Sequence, residues 1–483
     1  MRGWRLWTVL GLIVMVFMAA CGKESNEAKI ESVGNAHPTP SPTAMTETPT
    51  PPITTSPDTA LAAFDSIRLP DGIELEGTLL MQRDPAIYHI SLDGTPPQLL
   101  NGDVQWNDLS IAPDHRHIAY TFTTPGVDAG PTPPPDAMIY LPVPTSLAIL
   151  DLTSGESRLI YESDGGIGLI GWSPDGTWLA FSEAIYPPYD PTLVATSEYG
   201  EGFTYYRATP ETNLFAAALQ PDLPLARLDG GSSGLWLMDN TLLAVLETQV
   251  EGGMTQDLYH FLPDENQALM LETDQAWQIM NVFYSLEMRP TAQRILDDFG
   301  LTLAPVTTYP RYYNRTLSPD GSLVVEALGS SAPVPMGTEP SACSPHHIVI
   351  RGIERAVLPE PIVTLDDADI VGVRLYAWLP VENDPEAVDL VYVVRKSPTC
   401  TWDDFTTTMV HRLPDGTIKE LAAPPTGWIA DVLVPPQSRV ILWIWQDQDN
   451  QQSSLNLYDL ATGENHVLAE SEGELFSALW WID

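Results

Sequence analysis

The chain has 483 residues, 44% of them hydrophobic, and a formal net charge of −42 at pH 7. This length allows one large repeat domain or two to three smaller domains, each with a sizeable core. Nucleic-acid binding is excluded, because so large an excess of acidic residues repels phosphate groups, which require a basic patch.

The first 21 residues have the three parts of an export signal. Arg2 and Arg5 precede an apolar run from Trp7 to Met18 that is too short for an ordinary membrane span. The run ends in Ala-Ala-Cys21, which resembles the lipobox of bacterial lipoproteins, although Met18 stands where leucine is usual. This resemblance implies a lipidated (palmitate-bearing) Cys21 and an extracytoplasmic protein anchored to a bacterial membrane. An ordinary signal peptide followed by an unrelated cysteine is the alternative.

Residues 22–62 are rich in proline, threonine and serine, as in HPTPSPTAMTETPTPP. A segment of this composition cannot bury enough apolar surface to fold. It predicts a disordered tether that reaches roughly 100 Å when extended.

Residues 63–483 consist of short apolar runs separated by turn residues. In the phrase Ser-Pro-Asp-Gly, proline presets φ, aspartate bonds to the backbone, and glycine takes a positive φ. A second hairpin type has the form Asp-Leu-x-x-Gly, and two hairpins make a four-stranded sheet. The repeats on which this rests are SIAPDHRHIAY (110–120), GWSPDGTWLAF (171–181), TLSPDGSLVV (316–325), SLAILDLTSGESRLIY (146–161) and SLNLYDLATGENHVLA (454–469).

These repeats resemble those of TolB and of the prolyl oligopeptidase and dipeptidyl peptidase propellers, which belong to the WD40-like group. The resemblance implies an all-β propeller fold. It implies no peptidase activity here, because Gly171-Trp172-Ser173-Pro174-Asp175 only begins like the G-x-S-x-G nucleophile motif and no hydrolase-like segment follows. A Tol-system role is not implied either, since a tether stands in place of the separate N-terminal domain.

Seven blades are predicted, with six or eight as alternatives. The final strand at 475–482 completes a first blade that begins at 77–101, so that the two ends of the chain close the propeller. The other six blades are predicted at 104–161, 167–228, 233–271, 312–363, 369–421 and 428–469.

Residues 272–310 interrupt the β pattern. Ala276, Met280, Phe283 and Glu287 follow helical spacing, as do Ala292, Ile295, Leu296 and Phe299, with Pro290 between the two short helices and Gly300 as a stop. We expect this helical insertion to be structural cover, with a lid or a partner-binding element as the alternative.

The remaining long insertions are predicted between the second and third strands of blades, at 123–145, 184–211, 328–345 and 396–405. With the insertion 272–311 they would all project from one face, and long loops are commonly functional. The second insertion carries six aromatic residues, which are candidates for binding a ligand by their flat rings. They are Tyr186, Tyr189, Tyr199, Phe203, Tyr205 and Tyr206. The alternative is that they fold the loop onto the propeller.

Besides Cys21, the sequence holds Cys343 and Cys400, which predict a disulfide in an oxidising compartment. A zinc site with His346 and His347 is the weaker interpretation, because a second pair of ligands is missing. Asp447 to Asn450 begins like a calcium loop but lacks its later ligands, so we predict no metal and no cofactor.

We predict no catalytic residue, because the turn aspartates Asp114, Asp175, Asp320 and Asp415 are expected to bond their own backbone. The sequence favours a membrane-anchored, extracytoplasmic propeller that binds an envelope protein, peptide or glycan through its loop-rich face, without catalysis. One alternative is a hydrolase or lyase that uses acidic residues in the axial channel. Another is a structural spacer of the envelope. The ligand and the oligomeric state stay open.

Replacing Cys21 with serine tests the anchor. We expect the native chain to sediment with membranes, and Cys21→Ser to be released or to accumulate as uncleaved precursor, because only the thiol can accept the lipid. Mass spectrometry of the mature N-terminus checks this, and an unmodified N-terminus at another residue would contradict it.

Overall fold

A computed structural model of the chain describes residues 66–482 with internal gaps. The chain divides into Met1–Thr54, which lies outside the described residues, and Thr55–Asp483, which holds all the elements below. The gaps are 84–85, 102–105, 124–143, 187–193, 197–203, 207–209, 251–252, 274, 281, 283–288, 306–314, 318–322, 329–345, 353–361, 366–368, 380, 382–387, 400–404, 425, 437 and 474.

The described strands are numbered in chain order. The first group is β1 (Thr78–Arg83), β2 (Ala86–Ile90), β3 (Gln98–Asn101), β4 (Trp106–Ile111), β5 (His117–Thr123), β6 (Thr145–Asp151), β7 (Glu156–Ser163), β8 (Gly166–Trp172), β9 (Trp178–Ile185), β10 (Val194–Thr196), β11 (Thr204–Tyr206), β12 (Glu211–Ala218) and β13 (Ala226–Asp229). The next is β14 (Gly231–Trp236), β15 (Leu242–Val250), β16 (Gly253–Leu262) and β17 (Gln267–Met270). The last is β18 (Arg315–Leu317), β19 (Leu323–Leu328), β20 (His346–Gly352), β21 (Val363–Leu365), β22 (Ile370–Leu379), β23 (Asp389–Lys396), β24 (Thr406–Arg412), β25 (Ile418–Ala422), β26 (Trp428–Leu433), β27 (Val440–Asp447), β28 (Gln452–Asp459), β29 (Asn465–Glu472) and β30 (Phe476–Ile482).

Seven four-stranded antiparallel sheets are formed by these strands. Sheet 1 has the order β3-β2-β1-β30, and the others are sheet 2 (β4–β7), sheet 3 (β8, β9, β12, β13), sheet 4 (β14–β17), sheet 5 (β18–β21), sheet 6 (β22–β25) and sheet 7 (β26–β29). The first strands of neighbouring sheets lie beside one another, as β4 does with β8 and β22 with β26. The predicted all-β propeller with seven four-stranded blades and a small helical insertion is confirmed.

Sheet 1 joins the two ends of the described chain. β30 pairs with β1 from Thr78 opposite Ile482 to Arg83 opposite Phe476. Gly77 precedes the seam at φ 111°, and a Cβ there would stand 2.5 Å from the carbonyl oxygen of Ile482. A side chain would therefore push the strands apart at this point.

Apolar clusters between the sheets hold the fold together, because alternate residues of a strand point to opposite faces. In β15, Leu242 and Ala244 face sheet 3, where they cluster with Trp178 and Leu214. Further clusters join sheets 1 and 2, sheets 2 and 3, sheets 5 and 6, sheets 6 and 7, and sheets 7 and 1.

The second face of sheet 4 is covered by helices. Leu243, Val245 and Leu258 point away from sheet 3 and cluster with residues of the helical insertion, among them Ile279, Ala292 and Leu296. The helices are α1 (Ala276–Met280) and α2 (Arg289–Asp297). The insertion thus takes the place of a neighbouring sheet on this face. In the described part of the chain, no helix has the length and apolar character needed to cross a membrane.

The details of the insertion differ from the prediction at Pro290. It is the second residue of α2 and does not separate the helices, since the first turn of a helix needs no donor at that position. Gly300 lies in the turn that follows α2, as expected of a helix stop, at φ 71°. Phe283 and Glu287 lie outside the described residues.

The propeller has two distinct ends. We call "turn face" the end that carries the first–second and third–fourth strand turns, such as 173–177, 237–241 and 263–266, and "loop face" the opposite end. The four long insertions at 123–145, 184–211, 328–345 and 396–405 connect second to third strands, and the ends of those strands lie at the loop face. Most residues of the insertions themselves lie outside the described part of the chain.

The insertion 272–311 was also predicted to project from the loop face. This prediction is wrong for residues 301–305, near the end of the insertion. Met238 donates its backbone amide to Thr302 O at 2.8 Å, and Ala304 donates to Trp236 O at 3.0 Å. Residues 301–305 therefore lie along the first turn of sheet 4, on the turn face. The chain crosses the side of sheet 4 because covering its apolar surface requires helices that run along that surface.

Replacing Leu296 with alanine tests whether the insertion is part of the core. Leu296 is fully buried whereas Phe299, on the next turn, is 39% exposed. We expect Leu296→Ala to lower the free energy of unfolding by about 2–5 kcal/mol, since a buried leucine leaves a cavity. Phe299→Ala is the control and should lower the free energy of unfolding by clearly less. Equal effects in chemical unfolding would contradict the assignment.

Candidate functional site

Three neighbouring first strands end together at the turn face. β4, β8 and β14 each contain a bulge, between Trp106 and Asp108, between Leu169 and Gly171, and between Gly231 and Ser233. A bulge bends a strand and increases its local twist. The residues that follow these bulges border one cleft.

Two tryptophans at equivalent strand ends link the three sheets. Trp172 donates its indole N–H to Ser110 O of sheet 2 at 3.0 Å, and Trp236 donates its own to Gly171 O of sheet 3 at 2.8 Å. Each indole thus crosses to the preceding sheet. The hydrogen bonds fix the ring positions, and both rings line the cleft.

The end of the helical insertion forms another wall. Arg289 donates from its guanidinium to Ala304 O, and both residues line the cleft. Gln293 donates its side-chain amide to Leu301 O at 2.9 Å and accepts the amide of Leu303 at 2.9 Å. The side chains of α2 therefore hold residues 301–304 in place from one side, while sheet 4 holds them from the other.

The resulting cleft has a volume of about 370 Å³, which lies within the range of small-molecule and side-chain pockets. Its walls are mainly hydrocarbon, with Ser110 and Ser173 as polar side chains and Arg289 as the charged one among the described lining residues. The main apolar lining residues are Ile111, Ile170, Trp172, Leu235, Trp236 and Met238. Such a site accepts one or two apolar side chains.

The turn beside the cleft is built as the sequence predicts. Asp175 accepts hydrogen bonds from the amide and hydroxyl of Thr177, at 2.9 and 2.7 Å, and from the hydroxyl of Ser173 at 2.7 Å. Burial alone would raise the pKa of Asp175, but these hydrogen bonds outweigh it and leave the pKa below its usual value. Asp114 and Asp415 also accept backbone amides of their own turns, whereas Asp320 lies outside the described residues.

Two carboxylates of the first strands join adjacent sheets. Asp431 is buried and accepts the amides of Val432 and of Leu479 in sheet 1, both at 2.9 Å. Asp108 accepts the amide of Leu109 at 2.9 Å. Burial raises the pKa of Asp108, with hydrogen bonds from the amides of Leu109 and Leu169 opposing that rise, although its side chain still reaches solvent. Both carboxylates accept backbone amides between the first strands.

A buried aspartate and histidine fasten sheet 6 to sheet 7. His411 Nε2 contacts Asp389 Oδ1, and Arg439, just before β27, lies 3.4 Å from Asp389 Oδ2. Asp389 and His411 lie on the paired strands β23 and β24. The buried Asp389 carboxylate thus has the buried His411 on its own sheet and the half-exposed Arg439 across the sheet junction as polar partners, as a buried carboxylate requires.

Most sequence-predicted site residues lie outside the described part of the chain. These are Cys21, Cys343, Cys400, Tyr189, Tyr199 and Phe203. Tyr186 is half-buried directly after β9, and Tyr205 and Tyr206 belong to β11, which pairs with β10 in a short hairpin. The structure does not test whether these aromatic residues bind a ligand.

Metal sites were predicted to be absent. Among the residues that the structure describes, no group of three or more His, Cys, Asp or Glu side chains is placed to hold an ion. Asp447 accepts the backbone amide of Asn450 at 3.1 Å and its side-chain amide at 2.8 Å. Its carboxylate therefore serves its own turn, and it is buried, whereas residues 448–450 are exposed.

The residues that form the cleft were missed in the sequence. Trp172 and Trp236 each end a first strand just before its turn, and this shared position was the available signal. Arg289 and Gln293 gave no signal, because only the path of the insertion brings Arg289 to the cleft and Gln293 to the segment 301–303.

Comparisons with known proteins found structural likenesses only. No protein-family model and no curated protein matches the chain. A prolyl endopeptidase structure shares 12% identity over 85% of this chain and 50% of its own, with a TM-score of 0.40. The β-propeller domain of the Trilobed protease from Pyrococcus furiosus shares 11% sequence identity, over 82% of this chain and 97% of its own length, with a TM-score of 0.35. TolB from Acinetobacter baumannii shares 11% sequence identity, over 85% of this chain and 67% of the TolB chain, with a TM-score of 0.32.

The chain spans 35% of the tricorn protease, with 8% identity over 86% of this chain and a TM-score of 0.35, and half of the prolyl endopeptidase. Likenesses this distant say nothing about activity. The propeller fold itself rests on the pairing of the strands in seven sheets.

Proposed function

We propose that this chain is a lipid-anchored, extracytoplasmic β-propeller that binds a peptide segment of an envelope protein without chemically changing it. The cleft on the turn face carries the proposal, since it is concave, apolar and bordered by side chains held in fixed positions. The lipobox-like ending at Cys21 and the tether 22–62 support the address. An anchored propeller on a long tether suits the capture of a partner near a membrane.

The chemistry of the walls favours a peptide over a glycan. A sugar carries a hydroxyl on most carbons, and each one that is buried needs a hydrogen-bond partner. The walls offer indole rings, prolines and aliphatic side chains, with few polar groups. Apolar amino-acid side chains fit such a surface, and glycan binding is an alternative outcome of the experiment below.

Binding without catalysis is the function that the carboxylates support best. A hydrolase or lyase of the axial channel would need two neighbouring carboxyl groups with separated pKa values. Asp108 and Asp431 belong to sheets 2 and 7, with sheet 1 between them, and each accepts backbone amides. Asp175, next to the cleft, serves its own turn.

The aromatic insertion remains a second candidate surface at the loop face. The hairpin of β10 and β11 gives Tyr205 and Tyr206 a regular backbone, with Ala195 opposite Tyr205 and Val194 opposite Tyr206.

Two methionine replacements test the turn-face cleft. Met238 lines the cleft and Met270 lies on β17 away from it, and both are 51% exposed. We expect Met238→Glu to abolish the binding of peptides retained on a peptide array, because it places a charge in an apolar site. Met270→Glu should bind like the native chain. Thermal unfolding checks that both variants stay folded.

A variant of the loop face decides between the two surfaces. If replacing Tyr199, Phe203, Tyr205 and Tyr206 with alanine abolishes binding while Met238→Glu does not, the ligand binds at the loop face. Turnover of a bound compound, or retention of glycans alone, would contradict the proposed function.

A further inference from the structure

A second cleft, with apolar and acidic walls, lies on the turn face, farther from the axis. Its volume is about 250 Å³, and it lies between the third–fourth strand turns of sheets 3 and 4. Trp178, Leu223 and Pro224 line it from sheet 3. Sheet 4 contributes Pro263 and, beside it, Asp264, Glu265 and Asn266. We call it the outer cleft, and the cleft at the first strands the inner cleft.

The two clefts stand on either side of one turn. Ser173 and Pro174 line the inner cleft, whereas Trp178, at the other end of the same turn, lines the outer cleft. Strands of a sheet are spaced by about 4.8 Å, so two to three spacings separate the clefts by roughly 10–14 Å. An extended peptide rises about 3.3 Å per residue and covers that distance in about three to four residues.

Asparagine side chains tie sheets 3 and 4 together along this path. Asn240 accepts the amide of Asp175 at 3.2 Å, between the clefts, and Asn266 accepts the amide of Arg227 at 2.8 Å, beside the outer cleft. These bonds fix the spacing of the two clefts. A ligand therefore meets a preformed track, which lowers the entropy lost on binding.

The exposed charges around the path are mainly acidic. Asp175 and Asp239 lie between the clefts, and Asp222, Asp264 and Glu265 surround the outer one, all of them exposed. The nearby Arg227 pairs with Asp229 at 2.5 Å. A ligand that carries basic side chains over the outer cleft is therefore attracted.

We propose that the two clefts form one binding track for an extended basic peptide segment of a partner protein. The segment places one apolar side chain in each cleft, three to four residues apart, with lysine or arginine next to the outer anchor. This inference rests on the proposed function and names the class of its ligand. The occupants that compete with it are disfavoured by charge, because the tether 22–62 and a second copy of this chain are both acidic.

Designed peptides test the track with the full chain in detergent micelles. The probes are fluorescent, end-capped decapeptides of glycine and serine with two leucines separated by two to six residues, flanked by two lysines or two glutamates. Single-leucine peptides and a peptide of residues 36–57 serve as comparisons. Fluorescence polarisation should show the tightest binding at a separation of three or four residues. The gain over one leucine should be at least about tenfold, as expected for burying one more leucine side chain.

Two variants with matched controls assign each part of the track. Leu223 is 47% exposed in the outer cleft, and Leu99, in sheet 1, is 41% exposed. Leu223→Glu should lower the affinity for the two-leucine peptide to that for the single-leucine peptide. Leu99→Glu should leave the affinity for the two-leucine peptide unchanged. The double variant Asp264→Asn/Glu265→Gln should bind the lysine and glutamate peptides equally well, with no loss of lysine preference as salt is raised. The control Glu470→Gln/Glu472→Gln on β29 should keep both the lysine preference and its weakening by salt.

The outcomes separate this inference from the proposed function. Suppose that Met238→Glu abolishes binding, but that the affinity depends neither on leucine spacing nor on Leu223. This result overturns the two-cleft track and retains the inner cleft as the binding site. Preference for glutamate over lysine, or tighter binding of the 36–57 peptide, overturns the basic partner. Absence of binding by any probe overturns both.

Discussion

A sheet whose two faces are both apolar must be covered on both sides, and this constraint determines the structure. In most junctions the next sheet supplies the cover. Sheet 4 has sheet 3 on one face, through Leu242 and Ala244, and the helices α1 and α2 on the other, through Leu243 and Val245. A single strand with period-two alternation thus accounts for two kinds of neighbour.

The cleft follows from the way in which this cover is built. The chain leaves sheet 4 at the loop face, crosses the side of the sheet as helices, and reaches the turn face at residues 301–305. There it meets the ends of the first strands, where the hydrogen bonds of Trp172 and Trp236 have fixed an apolar surface. Gln293 and Arg289 hold the last wall in place. Structural cover and binding wall are therefore parts of the same insertion.

The architecture was predictable from the sequence because its signals are local. Ser-Pro-Asp-Gly specifies its turn within four residues, and alternating apolar residues specify a strand within six to eight. The helix α2 and the stop at Gly300 were likewise visible in the spacing of Ala292, Ile295 and Leu296. The position of the insertion's end was not, because a rule about connections between strands does not describe a path of more than 30 residues through helices.

The cleft was unpredictable for a related reason. Trp172 read as an apolar strand end, and its bond to Ser110 joins residues 62 positions apart. Gln293 gives no sequence signal, because its side-chain amide pairs with the backbone of Leu301 and Leu303, beyond the end of its own helix. These contacts depend on how the sheets and the insertion are placed, which no local pattern contains.

Amide hydrogen exchange tests most directly whether the insertion is an integral cover of sheet 4 and a fixed wall of the cleft. The amides of Leu303 and Ala304 donate to Gln293 Oε1 and Trp236 O, and the amide of Met238 donates to Thr302 O. We expect these three amides and those of α2 to be protected to nearly the same extent as the amides of β15, since they would open only with the sheet. Exchange of the insertion at the rate of exposed amides, while β15 stays protected, would contradict it.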